Sequence, residues 1–170
     1  MIERPHAIVV MGVSGSGKTT VALGLAGHYG YAFVDADDLH SIDAKAQMAA
    51  GMPLTDEQRE PWVLGLVKVL QESVAAGLSP VLAFSGLRSV HRQKLRESGV
   101  PVRFIFLYVA PARIQARLLR RTGHYMPPSL LASQFEALQS SAGERDVLAV
   151  DGEGPPEQVL ARVIAVLEAS

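Results

Sequence analysis

Short, uncharged apolar runs alternate along this chain with longer stretches of helical periodicity. Ala7-Ile8-Val9-Val10-Met11 is brief, β-branched and free of charge, the pattern of a strand buried on both faces. Tyr31–Val34, Val81–Phe84, Val102–Val109 and Val147–Val150 repeat it, giving five predicted strands. Between them the spacing predicts helices. One runs from about Lys18 to Tyr29, and two follow the second strand. In the longer of those two, Val63, Leu66, Val67, Leu70 and Val74 share a face, and Pro61 sits at the start, where proline is tolerated. A polar helix over Val90–Glu97 comes next, then an Arg-rich helix opened by Pro111 and stopped at Thr122-Gly123. Ser129 caps a further helix to about Ser140, and the last helix presents Val159, Val163, Val166 and Leu167 on one side. Parallel neighbours need crossover connections, so the alternation predicts a three-layer α/β/α fold around a five-stranded parallel sheet.

Composition narrows the function classes. A chain of 170 residues, 48% hydrophobic and 19% charged, is the size of one domain with a full core, spanning residues 1–170. Its 16 basic and 17 acidic residues leave a net charge of −1, which argues against nucleic-acid and anionic-membrane partners. No cysteine is present, so disulfide scaffolds, thiol catalysis and Cys-ligated metals are excluded. The longest apolar run, Phe104–Ala110, is far short of the ~20 residues that span a bilayer. Met1-Ile2-Glu3-Arg4-Pro5 lacks the order of a signal peptide, and a cytoplasmic location is expected.

The sharpest chemical signal follows the first strand. Gly12-Val13-Ser14-Gly15-Ser16-Gly17-Lys18-Thr19, continued by Thr20, matches G-x-x-x-x-G-K-[ST] between a predicted strand and a predicted helix. Glycines let backbone N–H groups turn inward as an anion nest, and the helix N-terminus adds its positive end. Lys18 reaches β- and γ-phosphates, and the Thr19 hydroxyl ligates Mg²⁺. The implied cofactors are ATP and Mg²⁺. A GTPase would need a guanine-reading N-K-x-D, which is absent; Asp151-Gly152-Glu153-Gly154 reads as an ordinary turn.

The second strand ends in Asp35-Ala36-Asp37-Asp38-Leu39-His40. Carboxyl ends of parallel strands share one edge, so these acids are expected to face the phosphate loop. Asp35 and Asp37 are two apart, which in extended chain places both side chains on one side. One carboxylate could support Mg²⁺ while the other deprotonates an acceptor hydroxyl. Arg113, Arg117, Arg120 and Arg121 crowd one short helix, with Arg117 and Arg121 on a shared face. Guanidinium forks there would stabilise a transferring phosphoryl group, and Thr122-Gly123-His124-Tyr125 with Pro127-Pro128 fits a mobile lid over about 117–135.

Taken together, these segments resemble the gluconate kinases of the P-loop shikimate/adenylate-kinase-like group. The matching stretches also include Gly51-Met52-Pro53-Leu54-Thr55-Asp56, Arg59-Glu60-Pro61-Trp62, Ser85 with Leu87, Arg92 with Leu95-Arg96, Gln134-Phe135-Glu136-Ala137-Leu138-Gln139 and Glu144-Arg145-Asp146. The resemblance implies ATP- and Mg²⁺-dependent phosphorylation of the terminal hydroxyl of D-gluconate. It implies Asp37 as base and His40 as a sugar-acid contact; Asp35 and Thr19 are then expected beside the metal, and Ser85 and Arg88 at the acceptor. Arg117 and Arg121 become lid arginines with His124 at the lid tip, and family members are often homodimers. The chain departs from the family pattern at Ala44, Gln47, Gly86 and Arg88, all beside the expected acceptor pocket. Two other functions compete: a P-loop kinase for a different sugar acid or polyol, and a nucleotide-binding regulator without catalysis.

Overall fold

A computed structural model describes residues 4–120, 132, 134, 135, 138 and 140–170 of the chain. Ala7–Met11 (β1) is buried at every position, as an apolar run without a polar face must be once helices cover both sides of its sheet. It pairs in parallel with Pro80–Ala83 (β3) and with Val102–Tyr108 (β4), setting Val9 opposite both Leu82 and Phe104. Ala32–Asp35 (β2) and Val147–Asp151 (β5) complete a parallel sheet of order β2-β3-β1-β4-β5. The predicted strands are all found, within a residue or two at their ends.

The period of two along β1 splits the core into two layers. Ile8 and Val10 pack with Val21 and Leu25 of Lys18–Tyr29 (α1), and with Val159, Val163 and Leu167 of the last helix. Ala7, Val9 and Met11 face the other layer, where Trp62, Leu66 and Leu70 of the long helix meet Leu95. Ile42–Ala49 (α2) leads to the long helix Asp56–Ala75 (α3), and Ser89–Arg96 (α4), Pro111–Arg120 (α5) and Pro156–Ala169 (α6) follow.

α3 begins five residues before the proline expected to open it. Thr55 caps it: the Gln58 amide donates to Thr55 Oγ1 at 3.1 Å, and the Thr55 amide donates to Gln58 Oε1 at 2.9 Å. Pro61 therefore lies inside the helix and removes the donor for the Glu57 carbonyl. Glu57 is exposed, where a lost carbonyl partner costs least.

The loops after the strands gather at one sheet edge. Val13, Leu87, Val109 and Ile114 form a small buried cluster there, which locks the loops after β1, β3 and β4 to the start of α5. The stop expected at Thr122-Gly123, most of the lid, and most of the helix expected from Ser129 lie outside the described residues. Among the described residues, no helix is long and apolar enough to cross a membrane.

Candidate active site

Between β1 and α1 the chain turns through Gly15 at φ +83, where an added Cβ would lie 3.1 Å from Ile114 Cγ2. Gly17 is the N-cap of α1 and supplies no side-chain acceptor, and the first turn carries no acidic residue. The head of α1, with Lys18 as the first helical residue, thus carries neither a capping side chain nor an acid that would compete with an anion. Among the described residues, the buried Ser16 hydroxyl has no hydrogen-bond partner. A helix head without a capping side chain or a nearby acid suits a phosphate chain.

Two distant side chains hold this loop. Arg117 Nη1 donates to the Gly15 carbonyl at 3.1 Å, and its Nη2 donates to the Gly152 carbonyl at 2.7 Å, joining the phosphate loop to the turn after β5. The Ser14 amide donates to Gln134 Oε1 at 2.7 Å, and Gln134 Nε2 donates to Ser14 Oγ at 3.1 Å. A cavity of about 310 Å³ opens beside the loop, lined by Gly15, Gly17, Thr20, Arg117, Arg120 and Gly152 among others. Asp151–Gly154 does form a turn, with the Glu153 amide donating to Asp151 Oδ1 at 2.9 Å, but Gly152 and Gly154 also wall this cavity.

At the neighbouring loop, β2 ends at Asp35 and the chain tightens into a 3-10 turn, Ala36–Leu39. The extended spacing expected for Asp35 and Asp37 is therefore absent. Asp35 instead caps the turn, its Oδ1 accepting from the Asp37 amide at 3.0 Å. Half-burial pushes the Asp35 carboxyl upward; the Asp37 amide opposes that, the charges of Asp37 and Asp38 reinforce it, and Lys18 pulls back down. The parallel order β2-β3-β1 brings the phosphate loop and the acid turn to the same sheet edge. Asp37 itself is exposed.

His40 closes the turn and is buried, stacked on Trp62 with ring centroids 4.0 Å apart. Burial holds its pKa below the ordinary imidazole range, partly countered by Asp37. Trp62 Nε1 donates to the Ala36 carbonyl at 2.7 Å and so fixes the turn from α3.

The third wall is the loop after β3. The Ser85 carbonyl accepts from the Gly12 amide at 3.3 Å, bringing that loop against the start of the phosphate loop. Gly86 adopts φ +60, and a Cβ there would collide with the Met11 sulfur. Arg88 lies 3.5 Å from Asp56, which also faces Arg59 at 3.8 Å. Beneath the loop, Arg92 is 1% exposed and donates to the carbonyls of Gly86 (2.7 Å), Leu87 (3.3 Å) and Ser140 (3.2 Å) and to both Glu144 oxygens.

Of the residues singled out from sequence, the structure gathers Gly12–Thr20, Asp35, Asp37, His40, Ser85, Arg88 and Arg117 around one sheet edge. Arg121 and His124 lie outside the described residues. Sequence reading had not singled out Arg59, Trp62, Arg92 or Gln134 as site residues. The first two carried a signal, lying three apart on one helix, and the other two reach their partners only through the tertiary fold.

A family described as AAA domain matches residues 8–144 of the chain. A gluconokinase of Gluconobacter oxydans (strain 621H) is 41% identical over 166 residues, covering 98% of this chain and 93% of that protein. The thermoresistant gluconokinase of Escherichia coli (strain K12) is 38% identical over 164 residues, covering 96% and 94%. Among solved structures, a gluconokinase from Sinorhizobium meliloti 1021 superposes with a TM-score of 0.89 at 37% identity, covering 99% of this chain and 94% of that one. Identity at this level over nearly the whole of each chain goes beyond a shared fold, and the chain belongs to the gluconokinase family.

Proposed function

We propose that the protein is a gluconokinase that transfers the γ-phosphoryl group of ATP to the terminal hydroxyl of D-gluconate, giving 6-phosphogluconate and ADP. One observation carries this reading: β1 runs into the phosphate loop and β2 into the acid turn within one parallel sheet, so the phosphate cradle and the acid turn leave the same sheet edge.

Lys18 and the amides at the head of α1 hold the phosphate chain. Asp37 orients the acceptor hydroxyl and takes its proton while the new oxygen–phosphorus bond forms and the bond to the β-phosphate oxygen breaks. Asp35 is already engaged as the cap of the turn, its Oδ1 accepting from the Asp37 amide, whereas Asp37 is exposed to an incoming acceptor. Thr19 and Asp35 would hold Mg²⁺, which when bound neutralises charge on the bridging phosphate oxygens. Among the described residues, no group of three or more His, Asp or Glu could hold a metal. A donor set of one hydroxyl and one carboxylate fits an ion that takes its remaining ligands from phosphate and water. Arg117 and Arg121 neutralise the transferring group, and residues 117–135 close over it as the lid of a single kinase domain.

His40, Ser85 and Arg88 line the acceptor side. Gln47, a departure from the family pattern, exchanges amide hydrogen bonds with Gln58 at 3.1 and 2.9 Å and so holds α2 to the head of α3. Coupled ADP-release assays over gluconate, related sugar acids and shikimate test the proposal. Turnover on gluconate is expected. No turnover on gluconate beside rapid turnover on another acid rejects it, and thermal stabilisation by ATP with no active acceptor favours the regulator reading.

A further inference from the structure

A single carboxamide grips Ser14 of the phosphate loop at two atoms. The Ser14 amide donates to Gln134 Oε1 at 2.7 Å, and Gln134 Nε2 donates to Ser14 Oγ at 3.1 Å. A backbone N–H can only donate, so the oxygen of the carboxamide must face it, which turns the NH₂ end to the hydroxyl. An amide nitrogen accepts no hydrogen bond, so Ser14 Oγ is the acceptor in that contact and keeps its own O–H. Among the described residues, that O–H has no acceptor. The Ser16 hydroxyl is placed differently: it is buried, and an added Cβ on Gly12 would collide with it, so it points back into the base of the loop.

Gln134 is firmly seated for this task. The Leu138 amide donates to its carbonyl at 3.0 Å, and Phe135 and Leu138 pack on the cluster that holds Val13. Gly15, next along the loop, is held from α5 by Arg117. Ser14 also stands at the end of the loop where transfer occurs. Gly12, two residues earlier, donates to the Ser85 carbonyl of the loop after β3, and Lys18, four residues later, opens α1. A phosphoryl group that leaves a chain held at the head of α1 for a hydroxyl on the other side passes between these two.

We propose that the Ser14 hydroxyl donates to an oxygen of the γ-phosphoryl group, and that Gln134 is the positioning residue that aims it. The inference rests on the proposed phosphotransfer reading and deepens it, naming a donor that the loop itself supplies to the transferring group. Because the carboxamide also consumes the Ser14 amide, the hydroxyl is the donor this residue has left to give. A donor fixed before the ligand arrives costs no reorganisation during transfer.

The test separates ATP from ADP, which lacks the γ-phosphate. Thermal stabilisation by ADP and by a non-hydrolysable ATP analogue, and kcat for ADP release with gluconate, are measured for the wild type, Ser14→Ala, Ser14→Thr, Gln134→Leu and the double variant Ser14→Ala/Gln134→Leu. Ser14→Ala is expected to keep the stabilisation by ADP, to narrow the gap between the ATP analogue and ADP, and to lower kcat roughly 10- to 100-fold, the scale of one lost hydrogen bond to a charged group. Ser14→Thr, which restores the hydroxyl, should recover most of that loss. Gln134→Leu should reproduce Ser14→Ala, and the double variant should fall no more than about threefold below the weaker single variant, since the two side chains act as a unit. A Ser14→Ala kcat within about threefold of wild type overturns the donor, because a lost hydrogen bond to a charged group costs more than that. Equal loss of stabilisation by both nucleotides overturns it too. Losses that multiply in the double variant overturn the role of Gln134. If another sugar acid is turned over and gluconate is not, the gluconate reading falls, and the same comparison with that acid decides the donor. If no acceptor is turned over, the kinase reading falls, and the gap between the ATP analogue and ADP alone decides it. Should Gln134→Leu fail to fold, Gln134→Met, which keeps the length and removes the carboxamide, decides by the same measures.

Discussion

Arg92 supports Gly86 from below: its Nη1 donates to the Gly86 carbonyl at 2.7 Å from a position that is 1% exposed. The same guanidinium pairs with Glu144 at 2.8 Å, so the loop after β3 and the segment before β5 share one buried charge. Removing it leaves the Gly86 carbonyl unpaired and Glu144 with Arg96 as its remaining partner. Arg92→Ala is expected to lower unfolding stability by about 3 kcal/mol, the scale for breaking one side of a buried pair. Urea or guanidinium melts check this, and a loss under ~1 kcal/mol would show that the loop is held by other contacts.

Glu144 gives the network a pH signature. The Arg92 hydrogen bond, and after it that of Arg96, hold its carboxyl below the ordinary carboxylate range against a partly opposing burial. A carboxyl lowered in the folded state contributes stability above its unfolded pKa and loses it as pH falls through the folded value. Wild-type stability is therefore expected to decline between about pH 5 and pH 3, and Arg92→Met should show a shallower decline over that window. Denaturant midpoints at stepped pH provide the measurement. Parallel curves would remove Arg92 as the cause.

Trp62 fixes the acid turn through one donor, Nε1 to the Ala36 carbonyl at 2.7 Å. Trp62→Phe keeps an aromatic surface for His40 and deletes that donor, leaving a buried carbonyl unsatisfied. The expected cost is about 1–3 kcal/mol. Because the turn carries Asp37, kcat should fall several-fold while KM for ATP holds. An unchanged kcat would separate the turn's position from this bond.

Lys18 stands at the uncapped head of α1 with no acid in the first turn to replace an anion. Lys18→Ala is expected to lower kcat by at least ~100-fold, the scale for removing a charge-stabilising group. Steady-state ADP release under saturating acceptor measures it. A fall of less than tenfold would place the phosphate chain elsewhere.

Much of this architecture was legible in the sequence because its causes are local. β1 declared itself through five uncharged apolar residues, and the phosphate loop through glycines, lysine and threonine in one unbroken stretch. The acid turn was misread as extended chain because its shape is set at a distance, by Trp62 donating across 26 residues as well as by the Asp35 cap. Arg92 sits in a helix of polar composition, and only Glu144, 52 residues away, explains why such a side chain is buried. Gln134 meets Ser14 across 120 residues, a distance no periodicity spans. Pro61 misled for the opposite reason: a genuine local preference for the first turn was outweighed by the reciprocal Thr55–Gln58 cap.

A kinase reading stands or falls on whether the acid turn works on the group that the phosphate loop holds. Asp37→Asn, assayed for ADP release with gluconate and for thermal stabilisation by ATP, addresses both halves at once. A kcat at least ~100-fold below wild type with ATP stabilisation retained is the expected result, as for loss of a general base. Turnover at the wild-type rate would show that Asp37 does not take the proton and that the two loops, though neighbours, do not share a reaction.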